Sequence, residues 1–220
     1  KRKYLGGMLR YGIPSYRLPR ERLNEDIDAI ISTGVTIHTG VDIGSDITLR
    51  ELHANFDALY IAIGAQTDKK LGIEGENARG VMSAVEMLRS IGDGEMPDFT
   101  NKNVVVIGGG NVAMDCTRSA KRLGASSVTC VYRRRQEDMT ALPDEVEGAI
   151  AEGCEVMSLL TPVRIETDDQ ENVTGLWVQP QIIGTPDKSG RPRPFKANAP
   201  EKRLACDIVL VAIGQDVEHI

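Results

Sequence analysis

The apolar positions of the chain cluster most sharply at residues 104–107, where three valines and an isoleucine stand in a row. A short run of β-branched residues bounded by turn residues predicts a buried strand. Three glycines follow, Gly108 to Gly110, and after them a pattern that favours a helix over residues 111–123. The pattern therefore predicts a strand, a tight turn and a helix in direct succession.

Shorter patterns predict further elements on both sides of this unit. Apolar residues at helical or strand spacing indicate helices at 20–33, 83–91 and 143–152, and strands at 35–37, 57–64, 128–132, 154–160 and 205–213. We expect a hairpin from residues 163–167 and 173–179, and an exposed loop from the Pro- and Arg-rich residues 184–203. A phosphate-facing lid is the alternative for residues 191–194, but Pro- and Arg-rich loops are normally solvated. Strands that alternate with helices predict the α/β class, as a Rossmann-like three-layer domain with a parallel sheet and an antiparallel hairpin.

Two stretches of the pattern look alike. An aspartate, an apolar run and a glycine occur at residues 57–64 and again at residues 207–214. We expect both runs to be buried strands that end in loops, at Gly64-Ala65 and at Gly214-Gln215. These loops would mark where the chain enters and leaves one domain.

The glycine turn carries the candidate chemistry. Gly108 allows a sharp turn, Gly110 has no Cβ and lets a pyrophosphate approach the backbone, and Ala113 permits close packing of helix on strand. The start of the helix, at Asn111 and Val112, offers unpaired N–H groups and a partial positive charge to phosphates. The motif G-x-G-x-x-A between a strand and a helix therefore predicts a dinucleotide site.

The end of the next strand bears on the choice of dinucleotide. A carboxylate there binds the ribose 2′-OH of NAD, whereas an arginine takes the 2′-phosphate of NADP. Three arginines follow this strand, and we expect Arg133 and Arg134 to bind the 2′-phosphate. A charge-assisted bond to phosphate contributes roughly 1.5–3 kcal/mol, which makes NADP(H) the expected cofactor. The alternative is a solvated basic patch, with Glu137 or Asp138 turned back to the ribose of NADH.

Composition excludes several other classes of protein. The 220 residues carry a net charge of −6, which gives no support for a nucleic-acid or anionic-membrane partner. No apolar run is long enough to cross a membrane. The four cysteines are widely spaced, which predicts buried, reduced thiols in a cytoplasmic protein rather than a metal or redox pair. Because the chain does not begin with Met, we expect a segment of a longer protein.

Several separate motifs resemble one family. They are GGMLRYGIPSYRLP at residues 6–19, the central GGGNVAMD, YRRR at 132–135, Met139 with Glu145, and AIGQ at 212–215. Together they resemble the small (beta) subunit of NADPH-dependent glutamate synthase, within the FAD-dependent pyridine nucleotide-disulfide oxidoreductases. The flavin/NADPH part of dihydropyrimidine dehydrogenase is similar. The resemblance covers nearly the whole chain.

This resemblance implies an NADPH domain inserted into an FAD domain. Hydride would pass from NADPH to FAD, and electrons would leave through iron–sulfur clusters to a large catalytic or iron–sulfur-bearing partner. Residues 1–64 would be part of the FAD domain, residues 65–214 the NADP(H)-binding domain, and residues 215–220 the return to the FAD domain. The family's flavin fingerprint and cysteine cluster do not occur in this sequence, so we expect the chain alone to be inactive.

The same resemblance assigns roles to individual residues. Besides the phosphate ligands named above, it places Gly64, Ala65 and Gly214 beside the nucleotide where the domains meet. Residues 12–14 would face the flavin. Asp115 would either approach the nicotinamide or only favour the start of the helix electrostatically.

The sequence is compatible with two functions. The first is the NADPH-binding portion of a flavin-dependent oxidoreductase of the glutamate synthase small-subunit type. The second is a nucleotide-binding module with no catalysis of its own. Cofactors carry the chemistry of hydride transfer, so no catalytic residue is predicted.

Overall fold

The computed structural model describes residues 2–65, 67–186 and 190–216. The helices are α1 (Gly7–Tyr11), α2 (Arg20–Ile31), α3 (Leu49–Asn55), α4 (Ala84–Asp93), α5 (Asn111–Arg122) and α6 (Pro143–Ala151). The strands are β1 (Thr67–Asp68), β2 (Val81–Ser83), β3 (Asn103–Ile107), β4 (Ser127–Val131), β5 (Glu155–Met157), β6 (Leu160–Thr167), β7 (Val173–Pro186), β8 (Pro192–Lys196), β9 (Lys202–Ala205), β10 (Ile208–Val211) and β11 (Gln215–Asp216).

A five-stranded parallel sheet forms the centre of the molecule. Its strand order is β2-β10-β3-β4-β5, and every neighbouring pair is parallel. The chain proceeds from β3 to β4 and β5 on one side, whereas β10 and β2 lie on the other. The order of the strands therefore reverses between β3 and β10. Ligands of open α/β sheets bind at such a reversal, outside the carboxyl ends of the strands.

Alternate residues of β3 face two different layers. Val104 and Val106 pack into a core with Met87 of α4, Met114 of α5 and Val146 of α6. The intervening Val105 and Ile107 pack against the antiparallel sheet in a second core that contains, among others, the residues Leu176, Val178 and Val209. Burial of both faces explains why this strand is continuously apolar. The predicted α/β fold with three layers is confirmed.

The antiparallel sheet is larger than the sequence pattern predicts. The expected hairpin is confirmed as β6 and β7, but β7 runs on to Pro186 and pairs with both β8 and β9. The prediction of a loop at residues 184–203 is therefore wrong over most of its described part, although most of these residues are exposed as expected. Residues 187–189 lie outside the described residues. Prolines and charged residues misled the prediction, because the outer face of an edge strand tolerates both.

One predicted strand is two strands in different sheets. The run at residues 154–160 divides into β5, which joins the parallel sheet, and β6, which joins the antiparallel one. Leu159 between them has a φ of 58°. This left-handed backbone turns the chain from one layer to the next, and nothing in the local hydrophobic pattern indicates it.

The segment before β1 contains no strand among its described residues, so the predicted strands at 35–37 and 57–64 are wrong. Its first part packs on α4 through α1, where Tyr11 is buried beside Gly92, and the buried Leu23 of α2 packs beside Gly6 at the start of α1. The later run is open to solvent, and the side chain of Tyr60 is 95% exposed. A strand needs neighbours for its hydrogen bonds, and this segment joins no sheet.

Candidate functional site

The three glycines follow β3 in the tight turn that the sequence predicts. Gly108 has a φ of 153°, and a Cβ there would overlap the carbonyl oxygen of Ala212. A Cβ on Gly109 would overlap the ring of Tyr132, which follows β4. The turn is thus pressed between the chain that leaves β10 and the chain that leaves β4. Only glycine fits at either position.

Gly110 is in a different environment. A Cβ there would meet only the hydroxyl oxygen of Thr140, at 3.3 Å. Gly110 is the N-cap of α5 in extended backbone and offers no side chain as a cap. Its carbonyl accepts from the N–H of Met114. The backbone at Gly110 is therefore accessible, as the prediction of a close phosphate contact requires.

The first turn of α5 presents donors without acceptors. No described residue accepts a hydrogen bond from the backbone N–H groups of Asn111, Val112 or Ala113. Such groups, together with the helix dipole, favour an anion at this end. The methyl group of Ala113 is fully buried and packs at the glycine turn, which agrees with its expected packing role. These residues form a cradle that suits a pyrophosphate.

A loop after the 3-10 turn at Gln136–Asp138 borders this cradle. The N–H groups of Thr140 and Ala141 donate to the carbonyl of Gly109, at 2.9 and 3.1 Å. The N–H of Leu142 donates to the side-chain oxygen of Asn111, at 2.9 Å. The side chain of Asn111 therefore holds the neighbouring loop in place, while its backbone N–H points to the cradle.

Asp115 is buried and paired, which bears on the two roles predicted for it. Its carboxylate accepts from Arg17 at 3.0 and 3.1 Å, and its side chain is only 5% exposed. Arg17 also contacts Glu145, at 3.2 Å. Burial raises the pKa of Asp115 above its usual value, while Arg17 opposes that rise. The contact with Arg17 makes Asp115 an anchor for the N-terminal segment.

The three arginines after β4 lie in three different environments. Arg133 is exposed, and no ion pair or side-chain hydrogen bond joins it to another described residue. Arg134 is buried, and its Nε donates to the carbonyl of Pro192 at 2.7 Å. Arg135 forms ion pairs with Glu137 and Asp138. These two carboxylates are thereby occupied, which weakens the alternative in which they reach the ribose of NADH.

The remaining predicted residues lie at the carboxyl edge of the parallel sheet or close to the chain that leaves it. Gly214 follows β10, and its carbonyl accepts from the N–H of Lys69 at 3.1 Å. Gly64 and Ala65 come shortly before β1, which pairs antiparallel with β11. The two look-alike loops are thus joined by the short strands that follow them, and the chain enters and leaves the sheet at one place.

Sequence reasoning missed Arg17 and Thr140 in this region, and for the segment of Arg191 it favoured a solvated loop over a phosphate-facing lid. Arg17 lies 98 positions before its partner Asp115, and Arg191 donates to the hydroxyl oxygen of Tyr132 at 3.2 Å. Thr140 lines the glycine cradle. No local pattern could reveal contacts between residues so far apart. The one available signal was the clustering of arginines near a strand end and in the segment 191–193.

Other chemistry has little support in the part of the chain that the structure describes. The four cysteines are buried and unpaired, as predicted. No group of His, Cys, Asp or Glu among the described residues could hold a metal ion. No described helix has the length and apolar character that a membrane span needs.

A parallel sheet with a glycine turn and an open helix start at its strand reversal defines the class of Rossmann-like nucleotide-binding folds. Comparison with known families makes the assignment narrower. The chain belongs to the pyridine nucleotide-disulphide oxidoreductase family, whose sequence profile matches residues 4–219. The resemblance and the fold class predicted from the sequence are both confirmed.

Named relatives and a solved structure agree with this family. The chain is 44% identical over 216 residues to the NADPH-Fe(3+) oxidoreductase subunit beta of Geobacter sulfurreducens. The match covers 97% of this chain and 32% of that protein. The chain is 33% identical to the glutamate synthase [NADPH] small chain of Escherichia coli, over 96% of the chain and 47% of that protein. The structure of Mycobacterium tuberculosis FprA in complex with NADPH matches with a TM-score of 0.74 at 19% identity, over 95% of this chain and 61% of that one.

Proposed function

We propose that the chain binds NADPH across the carboxyl edge of the parallel sheet. The pyrophosphate would rest on the N–H groups at Gly110 to Ala113, with Gly108 shaping the turn, and Arg133 would face the 2′-phosphate. The observation that carries the proposal is the accessible backbone of Gly110 beside donors without acceptors. The names of the relatives, which specify NADPH, support the choice of nucleotide.

In the longer protein, this site would deliver hydride to FAD. FAD, when bound, supplies the two-electron acceptor. The chain spans about a third to a half of the length of the two relatives named above, which are called a beta subunit and a small chain. We therefore propose that FAD and a partner that receives the electrons, such as an iron–sulfur-bearing or catalytic subunit, complete the reaction.

Contacts of the N-terminal segment support a flavin domain on this side. The loop at residues 12–14 is followed by Arg17, which binds Asp115 in the second turn of α5. Arg20 donates to the carbonyl of Ile13 at 3.1 Å. This loop is therefore held against the helix that begins at the glycine cradle, as is expected if it faces a flavin. Gly64, Ala65 and Gly214 would then line the boundary between residues 65–214 and the FAD domain.

Titration with NADPH tests the binding step. A ligand that binds only the folded state stabilises it by about 2.7 kcal/mol at one hundred times its Kd, which raises the Tm measurably. We expect Gly110→Ala to weaken NADPH binding by about tenfold or more, because its Cβ occupies the phosphate approach. Gly148→Ala is the matched control, since its Cβ meets a side-chain atom, of Arg118, at the same 3.3 Å. Equal affinity in all three proteins would contradict the proposal.

A second measurement distinguishes an oxidoreductase from a nucleotide-binding module without catalysis. The full-length parent protein, with its flavin bound, should reduce an artificial electron acceptor at the expense of NADPH. Binding without any such turnover would favour the module over the enzyme.

A further inference from the structure

The hairpin of β7 and β8 approaches the same strand end as the three arginines. Pro186 pairs with Pro192, and Ile183 pairs with Pro194. The base of the hairpin is fixed to the domain, since the N–H of Gln181 donates to the carbonyl of Leu159 at 2.8 Å. This bond holds the base of the hairpin against the turn between β5 and β6.

Arg191, immediately before β8, reaches Tyr132, which follows β4. Its Nη2 lies 3.2 Å from the hydroxyl oxygen of Tyr132 and 3.4 Å from the carbonyl oxygen of Asp138. The hydroxyl of Tyr132 donates to that same carbonyl at 2.9 Å. The ring of Tyr132 in turn packs on Gly109. One aromatic ring thus separates the Arg191 guanidinium from the glycine turn.

Arg134 fixes the backbone next to Arg191. It is 5% exposed, and its Nε donates to the carbonyl of Pro192, the next residue along the chain. Because Arg134 is buried whereas Arg191 is only half-buried, Arg134 is the less accessible of the two to a phosphate. Its position instead sets where β8 begins and hence where Arg191 stands.

We infer that Arg191 determines specificity for the 2′-phosphate together with Arg133, and that Arg134 is a positioning residue that acts through Arg191. The inference rests on the proposed function, because it refines which residues meet the adenosine end of NADPH. The planar fork of an arginine binds phosphate with two parallel hydrogen bonds, which a ribose hydroxyl cannot match. The hairpin would then contribute to the choice of NADPH over NADH.

The test compares 2′,5′-ADP with 5′-AMP, since they differ only in the 2′-phosphate. We expect Arg191→Ala to weaken binding of 2′,5′-ADP about tenfold, the loss of one charge-assisted bond, and to change AMP binding by less than about twofold. Arg193→Ala is the matched control, because it removes the same charge two residues along the chain, where the guanidinium lies 5.2 Å from the ring centre of Phe195. A loss of equal size in Arg193→Ala, or none in Arg191→Ala, overturns the inference.

A double-mutant cycle tests the positioning role of Arg134. Arg134→Lys keeps the charge but not the hydrogen bond to Pro192, so 2′,5′-ADP should bind more weakly while AMP does not. In the Arg191→Ala background, the same substitution should have no further effect. A full additional loss would show that Arg134 acts on the phosphate independently, which contradicts the assignment. If Arg191→Ala keeps the preference for NADPH and Arg133→Ala loses it, this inference alone is contradicted. If the wild-type chain binds neither nucleotide, the proposed function itself is contradicted.

Discussion

The two look-alike runs, residues 57–64 and 207–214, end in opposite environments. The second forms β10, which pairs with β2 on one side and β3 on the other. Its Val209 and Leu210 are fully buried. The first belongs to no strand, and Tyr60 and Ile61 are 95% and 68% exposed. Similar sequences therefore form a central strand in one place and an exposed segment outside any strand in the other.

The difference shows what an apolar run can and cannot specify. The run supplies side chains that favour burial, but hydrogen-bond partners for the backbone must come from strands elsewhere in the chain. β10 obtains them from residues more than a hundred positions earlier. The run at 57–64 pairs with no strand among the described residues, and under the proposed function an FAD domain would supply the missing neighbours.

The largest effect should come from truncating the buried run. Leu210→Ala removes a fully buried side chain from the core between the parallel sheet and helices α4, α5 and α6. We expect a loss of about 2–5 kcal/mol in the free energy of unfolding. Ile61→Ala makes the matched change in the exposed run and should alter stability by less than about 0.5 kcal/mol. Denaturant unfolding of both variants measures the contrast. Similar losses would mean that the run at 57–64 is buried in solution.

Local chemistry explains why the glycine cradle could be predicted and the arginine roles could not. The turn and helix start depend on consecutive residues, Gly108 to Ala113, so sequence order alone brings them together. The environment of Arg134 depends on its bond to Pro192, which lies in the stretch 184–203 that the sequence pattern presents as a loop. The environment of Asp115 depends on Arg17, from a separate segment. Contacts over such distances leave no periodic signal.

The second effect concerns the attachment of the N-terminal segment. Arg17→Ala would leave Asp115 buried without its main cation, and we expect a loss of about 1–3 kcal/mol at neutral pH. Arg118 remains near Asp115 and offsets part of the loss, whereas the like charge of Glu145 adds to it. We also expect faster hydrogen exchange in α1 and α2, because the segment loses its ion pair with α5. Arg22→Ala, which breaks the exposed pair with Glu25, should cost less than about 0.5 kcal/mol.

The pH dependence of this loss gives a sharper test. Burial already raises the pKa of Asp115 in the folded state, and removal of Arg17 should raise it further. A carboxyl group whose pKa is raised in the folded state costs no stability below its unfolded-state pKa. The cost grows as the pH rises from that value through the raised folded-state pKa. The deficit of Arg17→Ala should therefore shrink as the pH falls towards the ordinary aspartate value of 3.8. A deficit that is constant from pH 7 to pH 4 would contradict the ion-pair explanation.

The smallest effect separates the two aspartates that precede the look-alike runs. The carboxylate of Asp207 accepts from the backbone N–H of Asn103 at 2.7 Å, and the N–H of Asp207 donates to the carbonyl of Asn103. This reciprocal contact joins the starts of β10 and β3. Asp207→Ala leaves the backbone N–H of Asn103 without its carboxylate acceptor. We expect this to lower the free energy of unfolding by about 1 kcal/mol. Asp57 is exposed and forms no side-chain hydrogen bond to another described residue, so Asp57→Ala should leave the unfolding midpoint unchanged. If the two substitutions cost the same, the aspartate before β10 contributes nothing specific to strand pairing, and burial of the apolar run alone distinguishes the two segments.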